Sequence, residues 1–402
     1  MKIADRMLDI GTESSFEVAA RARAMEAAGQ DIVHLEIGEP DFDTPANIRE
    51  AAKRALDAGL THYSPFMGVL ALREAIAADT AARKGFAVDP ARVLVTPGAK
   101  PIIFYTAFCL LQAGDEAIVP DPGFPIYESA VRLAGAKVVP LPVREELDFR
   151  FDVDELASLV TPRTRLLIIN SPANPTGGLL RREDLAAIAA LAAERDIWVL
   201  ADEVYGRIIY EGEHVSLATF PGMVERTIVL DGFSKTYAMT GWRLGYGILP
   251  EALVGSFGRL VTNSVSCVAT FAQHAAVEAL TGPQDPTAAM VAEFRARRDL
   301  VVAGLNAIPG IRCHLPAGAF YVFPNIAATG LSGAELFERL LTEAGVCVLP
   351  GTAFGGLAGG FVRISYATSR QNLAEGLRRI GAFVEGLGGS APSRARGGDR
   401  GR

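Results

Sequence analysis

Between about residues 85 and 250, short uninterrupted apolar runs alternate with amphipathic stretches. The runs are RVLV (92–95), EAIV (116–119), KVVP (137–140), RLLII (165–169), IWVL (197–200), TIVL (227–230) and GYGIL (245–249). Runs rich in β-branched residues and without polar alternation predict strands buried on both faces. The segments between them carry a helical period: in REDLAAIAALAAERD (182–196), Leu185, Ile188, Ala189 and Ala192 share a face. This alternation predicts an α/β architecture, a mainly parallel sheet flanked by helices. Residues 250–307 read as long helices. After LPAGAFYVFP (315–324) the pattern predicts a helix over 332–344, short strands at 346–349 and 361–366, and a last helix to about 386. An N-terminal helix, SFEVAARARAMEAAG (15–29), is expected to pack with that C-terminal region.

Composition narrows the class. A chain of 402 residues exceeds one ordinary core, so one large and one smaller domain are expected. The formal net charge is −7; the last residues, GSAPSRARGGDRGR (389–402), hold four Arg and one Asp, which leaves −10 for the remainder (−7 minus +3). An acidic body argues against nucleic acid or an anionic membrane as partner. The tail has almost nothing to bury and reads as disordered. Cys109, Cys267, Cys313 and Cys347 form no CxxC pair, which fits unpaired thiols in a reducing compartment. The start MKIADRMLDI is charged where a signal peptide needs an apolar core, and no window of about 18 uncharged apolar residues is present. A cytoplasmic location follows as the expectation.

The chemistry lies where the strands end. RVLV leads into TPGAK, EAIV into PDPGF, RLLII into NSPANPTGG, IWVL into ADEVYG and TIVL into DGFSK. In an open parallel sheet, ligands bind outside the carboxyl ends of the strands. Five ends therefore offer Gly98, Phe124, Asn174, Asp202, Tyr205 and Lys235 to one region. Lys235 has two readings: an ammonium snorkelling from a strand end, or a nucleophile that forms Schiff bases. The cofactor that exploits a lysine imine is pyridoxal phosphate, which needs a partner for its ring nitrogen and a site for its phosphate. Asp202 suits the first need, although an Asp there can also cap a turn. Gly98, Ala99 and Lys100 open a helix whose free N–H groups favour an anion, and Ser234 and Arg243 can add a hydroxyl and a guanidinium fork. Each alone has a plain alternative: a turn glycine, a core Phe124, a turn-forming Asn174.

Taken together, NSPANPTGG, ADEVYGRIIYEG, DGFSKTYAMTGWRLGYG and VRISYATS resemble the fold-type I pyridoxal-phosphate aminotransferases of the aspartate aminotransferase family, classes I and II. The resemblance runs in order from about residue 12 to 386, with GFSK a mild variation on the family's pattern. It implies a large domain with a seven-stranded, mainly parallel sheet, a smaller α+β domain built from both termini, and a homodimer. The division expected is an arm and part of the small domain at 1–44, the large domain at 45–285, the small domain at 286–388 and the tail at 389–402. It further implies that Lys235 holds pyridoxal 5′-phosphate as a Schiff base and moves the substrate proton. Asp202 would pair with the pyridinium, Tyr205 and Asn174 would bond the phenolic oxygen, and Phe124 would stack on the ring. Gly98, Ala99, Lys100, Ser234 and Arg243 would hold the phosphate, with Tyr63 of THYSPFMG reaching the phosphate of the neighbouring subunit. Arg363 of VRISY would grip the substrate α-carboxylate and Gly38 of LEIGEPDFDTP would close over it.

Such an enzyme moves an amino group from an amino acid to a 2-oxo acid in two half-reactions. Near the expected substrate side chain stand Ser14, Ser15, Phe16, Ile37 and Phe108, with no Arg or Lys among them, which leans towards neutral or aromatic amino acids or broad use. A lyase or decarboxylase on the same scaffold is the alternative. A regulator with an aminotransferase-like sensor domain would want a DNA-binding extension, and a nicotinamide dehydrogenase a GxGxxG after a strand. Neither is found in the sequence, nor are the P-loop and HExxH patterns.

Overall fold

The computed structural model describes residues 2–7, 10–11 and 14–388, with side chains from residue 15 to 387 in the last span. The tail expected to be disordered, 389–402, and the side chain of Ser14 lie outside the described residues. The chain begins with helix α1 (Ser14–Ala27), strand β1 (Val33–His34) and helices α2 (Ala46–Asp57) and α3 (Leu70–Lys84). Then β2 (Val93–Thr96), α4 (Lys100–Leu110), β3 (Glu116–Asp121), α5 (Ile126–Leu133), β4 (Lys137–Pro142), α6 (Val153–Leu159), β5 (Thr164–Asn170), α7 (Arg182–Arg195), β6 (Trp198–Asp202), β7 (Thr227–Gly232) and β8 (Gly245–Ile248) follow.

These strands form one seven-stranded sheet in the order β2-β8-β7-β6-β5-β3-β4, parallel except for β8, which runs against both neighbours. The apolar runs are buried on both faces, as their lack of alternation requires. Leu166, Ile168, Leu200 and Leu230 pack on one side with α4, α5 and α8 (Glu251–Ser264). Leu167, Ile169, Val199 and Ala201 pack on the other with α7. Register then fixes the site: Asp202 stands opposite both Asn170 and Leu230 at the carboxyl ends of β5, β6 and β7.

The chain continues through α9 (Thr270–Thr281), α10 (Asp285–Asn306), β9 (Tyr321–Val322), α11 (Gly333–Arg339), β10 (Val346–Cys347), β11 (Leu349–Pro350), β12 (Val362–Ser365) and α12 (Arg370–Gly388). Here the two ends of the chain meet. β1 pairs with β10, and Ser365 donates its N–H to Leu35 O at 2.8 Å. β12 lies between β11 and β9, each antiparallel to it. The helix expected over 332–344 is present: it is α-helical to Arg339 and widens to a π turn over 340–344 that ends at Gly345, whose φ of 64° suits glycine. The strand expected at 346–349 is two short strands, divided at Val348.

Candidate active site

A cavity of about 500 Å³ opens over the carboxyl ends of β5, β6 and β7, within the range of small-ligand sites. Every residue expected to hold the cofactor or the substrate carboxylate lines it except Gly98 and Tyr63. Gly98 supports it from behind: with φ at 81°, it leaves room for the Arg243 guanidinium, and a Cβ there would fall 2.3 Å from Arg243 Nη2. Arg243 itself takes the left-handed conformation, φ 56°, and donates from Nη1 to Thr240 O at 2.9 Å. Such a conformation costs a non-glycine residue about 1 kcal/mol, and here it holds a cation beside the first turn of α4. Tyr63 stands away from the cavity, 92% exposed.

The polar groups are held in a connected set. Lys235 Nζ donates to Gly38 O at 2.5 Å and lies 5.8 Å from the centre of the Phe320 ring. Gly38 is obligatory at this point, because a Cβ would fall 2.0 Å from the Tyr321 hydroxyl. That hydroxyl is 2.9 Å from the Tyr205 hydroxyl, and both rings are buried. Arg363 projects from β12 between the faces of Tyr321 and Phe354, at 4.5 and 4.8 Å from their centres. It donates to Asn174 Oδ1 at 3.0 Å and to the Glu36 backbone carbonyl. With its oxygen turned to Arg363, the Asn174 amide keeps an N–H₂ donor for another partner.

Asp202 is 5% exposed. It accepts from the Tyr127 hydroxyl at 2.7 Å and from Val204 N at 3.2 Å. Burial pushes its carboxyl up to about 6; the two hydrogen bonds oppose this, and the Asp231 and Glu203 charges add to it. Burial likewise drives the Tyr205 hydroxyl well above its ordinary value.

Three contributors were not legible in sequence. Tyr127 sits three residues after Phe124 on the first turn of α5, where it reads as an ordinary apolar-face aromatic. Tyr321 falls in the apolar AFYVF run. The third is a direction. Lys100 begins α4, yet its ammonium turns to lie 5.8 Å from the Phe16 ring centre and 5.6 Å from that of Phe124. A cation therefore does stand among the residues expected at the substrate side chain, contrary to the expectation of none. Ser15, Phe16 and Ile37 line the cavity with it, whereas Phe108 lies outside.

An amine, a buried carboxylate, two guanidinium groups and an aromatic wall meet the needs of pyridoxal phosphate: an imine partner, a ring-nitrogen partner and anion sites. Gly98 lets the Arg243 guanidinium lie against the start of α4, and Gly245 lets β8 pack on it, since a Cβ on Gly245 would strike Ala99 N at 2.4 Å. The fit is good.

The sequence pattern of the family "Aminotransferase class I and II" matches residues 30–380. An aromatic-amino-acid aminotransferase of Thermococcus litoralis is 44% identical over 384 residues, covering 94% of this chain and 97% of the relative. An aspartate aminotransferase of Pyrococcus horikoshii is 44% identical over 387 residues, covering 96% and 97%. The crystal structure of an aromatic aminotransferase from Pyrococcus horikoshii superposes with a TM-score of 0.87 at 44% identity, covering 92% of this chain and 99% of that one. The chain is a pyridoxal-phosphate-dependent enzyme of the transaminase type. It belongs to the class I and II aminotransferase family.

Proposed function

We propose that Lys235 bonds the cofactor's aldehyde, that Asp202 pairs with its ring nitrogen, and that Tyr205 and Asn174 address its phenolic oxygen while Phe124 covers the ring. The phosphate falls to Gly98, Ala99 and Lys100 at the start of α4 with Ser234 and Arg243, and the substrate α-carboxylate to Arg363 beneath Gly38. One observation carries this reading: all these residues but Gly98 line a single cavity, with the buried Asp202 at its floor and two arginines in its wall. When bound, pyridoxal phosphate supplies an aldehyde for the amino group and a ring that takes the electron pair released at the substrate Cα. Asp202, ionised beside a cation, keeps the ring nitrogen protonated. Lys235 Nζ takes and returns the Cα proton, and Arg363 orients the substrate for it.

The substrate side chain meets Phe16, Ile37 and the Lys100 ammonium. Apolar surface beside one cation suits an aromatic ring and a second carboxylate alike, and relatives named for aromatic amino acids and for aspartate point to the same pair. The enzyme accordingly takes aromatic and dicarboxylic amino acids and passes the amino group to a 2-oxo acid. The working unit is a cytoplasmic homodimer in which Tyr63 reaches the neighbouring site. Its 92% exposure, with Leu70 at 53% and Phe66 at 44% nearby, supports the dimer. Cys109, Cys267, Cys313 and Cys347 are all free thiols, which suits a reducing compartment. Among the described residues no helix is long and apolar enough to cross a membrane.

The test is an absorbance titration of the loaded enzyme. A visible band that bleaches with tyrosine or aspartate and returns with a 2-oxo acid is expected; bleaching that no 2-oxo acid reverses would mean a lyase or decarboxylase. Lys100→Met should then lower kcat/KM for aspartate by about 10²-fold and leave tyrosine within a few-fold, since only the dicarboxylate loses a charge partner. Equal losses for both substrates would remove Lys100 from the side-chain site.

A further inference from the structure

The last residue of α3 is a lysine whose side chain is 3% exposed. Lys84 Nζ donates to Glu203 Oε2 at 2.5 Å and lies 2.9 Å from Asp231 Oδ2, and these carboxylates are 4% and 8% exposed. Ser216 Oγ donates to Glu203 Oε1 at 2.6 Å, Tyr246 Oη to Asp231 Oδ2 at 3.2 Å, and Gly232 N to Asp231 Oδ1 at 2.7 Å. None of Lys84, Glu203 and Asp231 lines the cavity. Yet Glu203 directly follows Asp202, and Asp231 lies four residues before Lys235. The two carboxylates therefore sit at the ends of β6 and β7, where the chain turns to present the site.

One cation between two anions leaves this cluster with a net charge of −1. Burial works against the Lys84 charge, but Asp231 and Glu203 more than reverse it and hold the ammonium protonated. The other charged neighbours are Arg83 and Arg207, both bonded to Asp79, and His214, whose Nε2 is 3.8 Å from Glu203 Oε2. Burial lowers the proton affinity of His214, and the Glu203 charge opposes this. Asp202 in turn faces the Tyr127 hydroxyl from α5, Tyr205, Glu203 on its own strand and Asp231 on β7. Two uncompensated carboxylates so close, in a medium of low dielectric, would weigh heavily on any proton held at the cavity floor.

We propose that Lys84 is a positioning residue of the active site: through Glu203 and Asp231 it fixes the ends of β6 and β7 and cancels negative charge that would otherwise bear on Asp202 and on the cofactor. This rests on the reading that Lys235 and Asp202 hold pyridoxal phosphate. The roles separate by charge. Lys84→Met takes the cluster from −1 to −2, Asp231→Asn takes it to 0, and the double variant returns it to −1.

The measurement is the visible absorbance of the full-length, cofactor-loaded enzyme against pH, with cofactor affinity followed by fluorescence. Lys84→Met should raise the midpoint of the colour change by about half a unit to one unit, and Asp231→Asn should lower it by a similar amount. The double variant should come back to the wild-type midpoint. Where Lys84→Met does not fold, Asp231→Asn and the double variant still decide: a lowered midpoint followed by its restoration supports the proposal. A merely structural role would weaken cofactor binding in every variant with no reversal of sign, and that result overturns it. Unmoved midpoints on a normal wild-type band overturn the proposal alone. A wild-type enzyme without any visible band after addition of pyridoxal phosphate overturns the underlying reading as well.

Discussion

Two ion clusters back the cavity from different sides, one buried and one partly exposed, and their chemistry differs. Behind Asp202, Lys84 joins Glu203 and Asp231 with all three side chains under a tenth exposed. Behind Arg363, His34 bridges two carboxylates, Glu36 Oε1 at 2.7 Å and Glu26 Oε2 at 3.1 Å. Glu36 is wholly buried, its carbonyl receives the Arg363 guanidinium, and the next residues, Ile37 and Gly38, line the cavity. Both clusters hold backbone that presents a functional group. The first uses a lysine that its carboxylates hold protonated, the second a histidine raised to about 9. The Lys84 cluster thus keeps its charges through neutral pH, whereas the His34 cluster loses one on the alkaline side.

The largest effect should come from breaking the first cluster. Glu203→Leu leaves Lys84 with one carboxylate in a dry site and should cost about 3–5 kcal/mol, read as a lower midpoint in urea denaturation. The loss should be nearly constant between about pH 6 and 9, since Lys84 and Asp231, which remain, hold each other charged. A loss that varies steeply over that range would place a titrating group in the cluster.

The second cluster should respond differently. The Glu36 hydrogen bond, outweighing the effect of burial and helped by Glu26, raises His34 to about 9. A raised folded-state value means stability that is complete below the unfolded value of about 6.5 and is lost as pH rises through about 9. For a partly exposed ring this amounts to about 2 kcal/mol. His34→Gln should therefore be less stable than wild type at pH 6, and the difference should fade by pH 10. A difference independent of pH would show that the ring acts by packing alone.

Smallest should be the loss from an exposed pair on the same side of the molecule. Arg21 donates to Glu338 at 2.6 and 2.7 Å, joining α1 to α11, with side chains 43% and 50% exposed. Arg21→Met should cost less than about 1 kcal/mol and less again at high salt. A larger, salt-insensitive loss would mean that burial alone does not separate the clusters from the surface.

The contrast also explains what could be read from sequence. Strand ends were legible because uninterrupted apolar runs stop at polar residues, and the topology of a parallel sheet gathers those ends; this brought Asp202, Asn174 and Lys235 to one region, and the resemblance supplied their roles. Arg363 was singled out by the resemblance of VRISY, and its apolar strand added only that a guanidinium there needs a polar partner. The Lys84 cluster was not, since its three members stand far apart in sequence and each reads as an ordinary surface charge until α3, β6 and β7 are packed. His34 and Glu36 alternate as an exposed strand would, and only pairing with β10 buries one and half-buries the other. Lys100 was placed correctly at the start of α4, but the direction of a flexible side chain depends on Phe16 and Phe124, brought from two other segments. The widening after Arg339 is a local choice between helical turns that periodicity does not resolve.

The most direct measurement is to reduce the loaded enzyme with borohydride, digest it and locate the retained cofactor by mass spectrometry. The cofactor's mass on the peptide containing Lys235, and its absence from the same digest of Lys235→Ala, is the expected result, together with a fall in turnover of at least about 10⁴-fold in that variant. The cofactor on Lys84, Lys100 or any other lysine, or unaltered turnover in Lys235→Ala, would contradict the site described above.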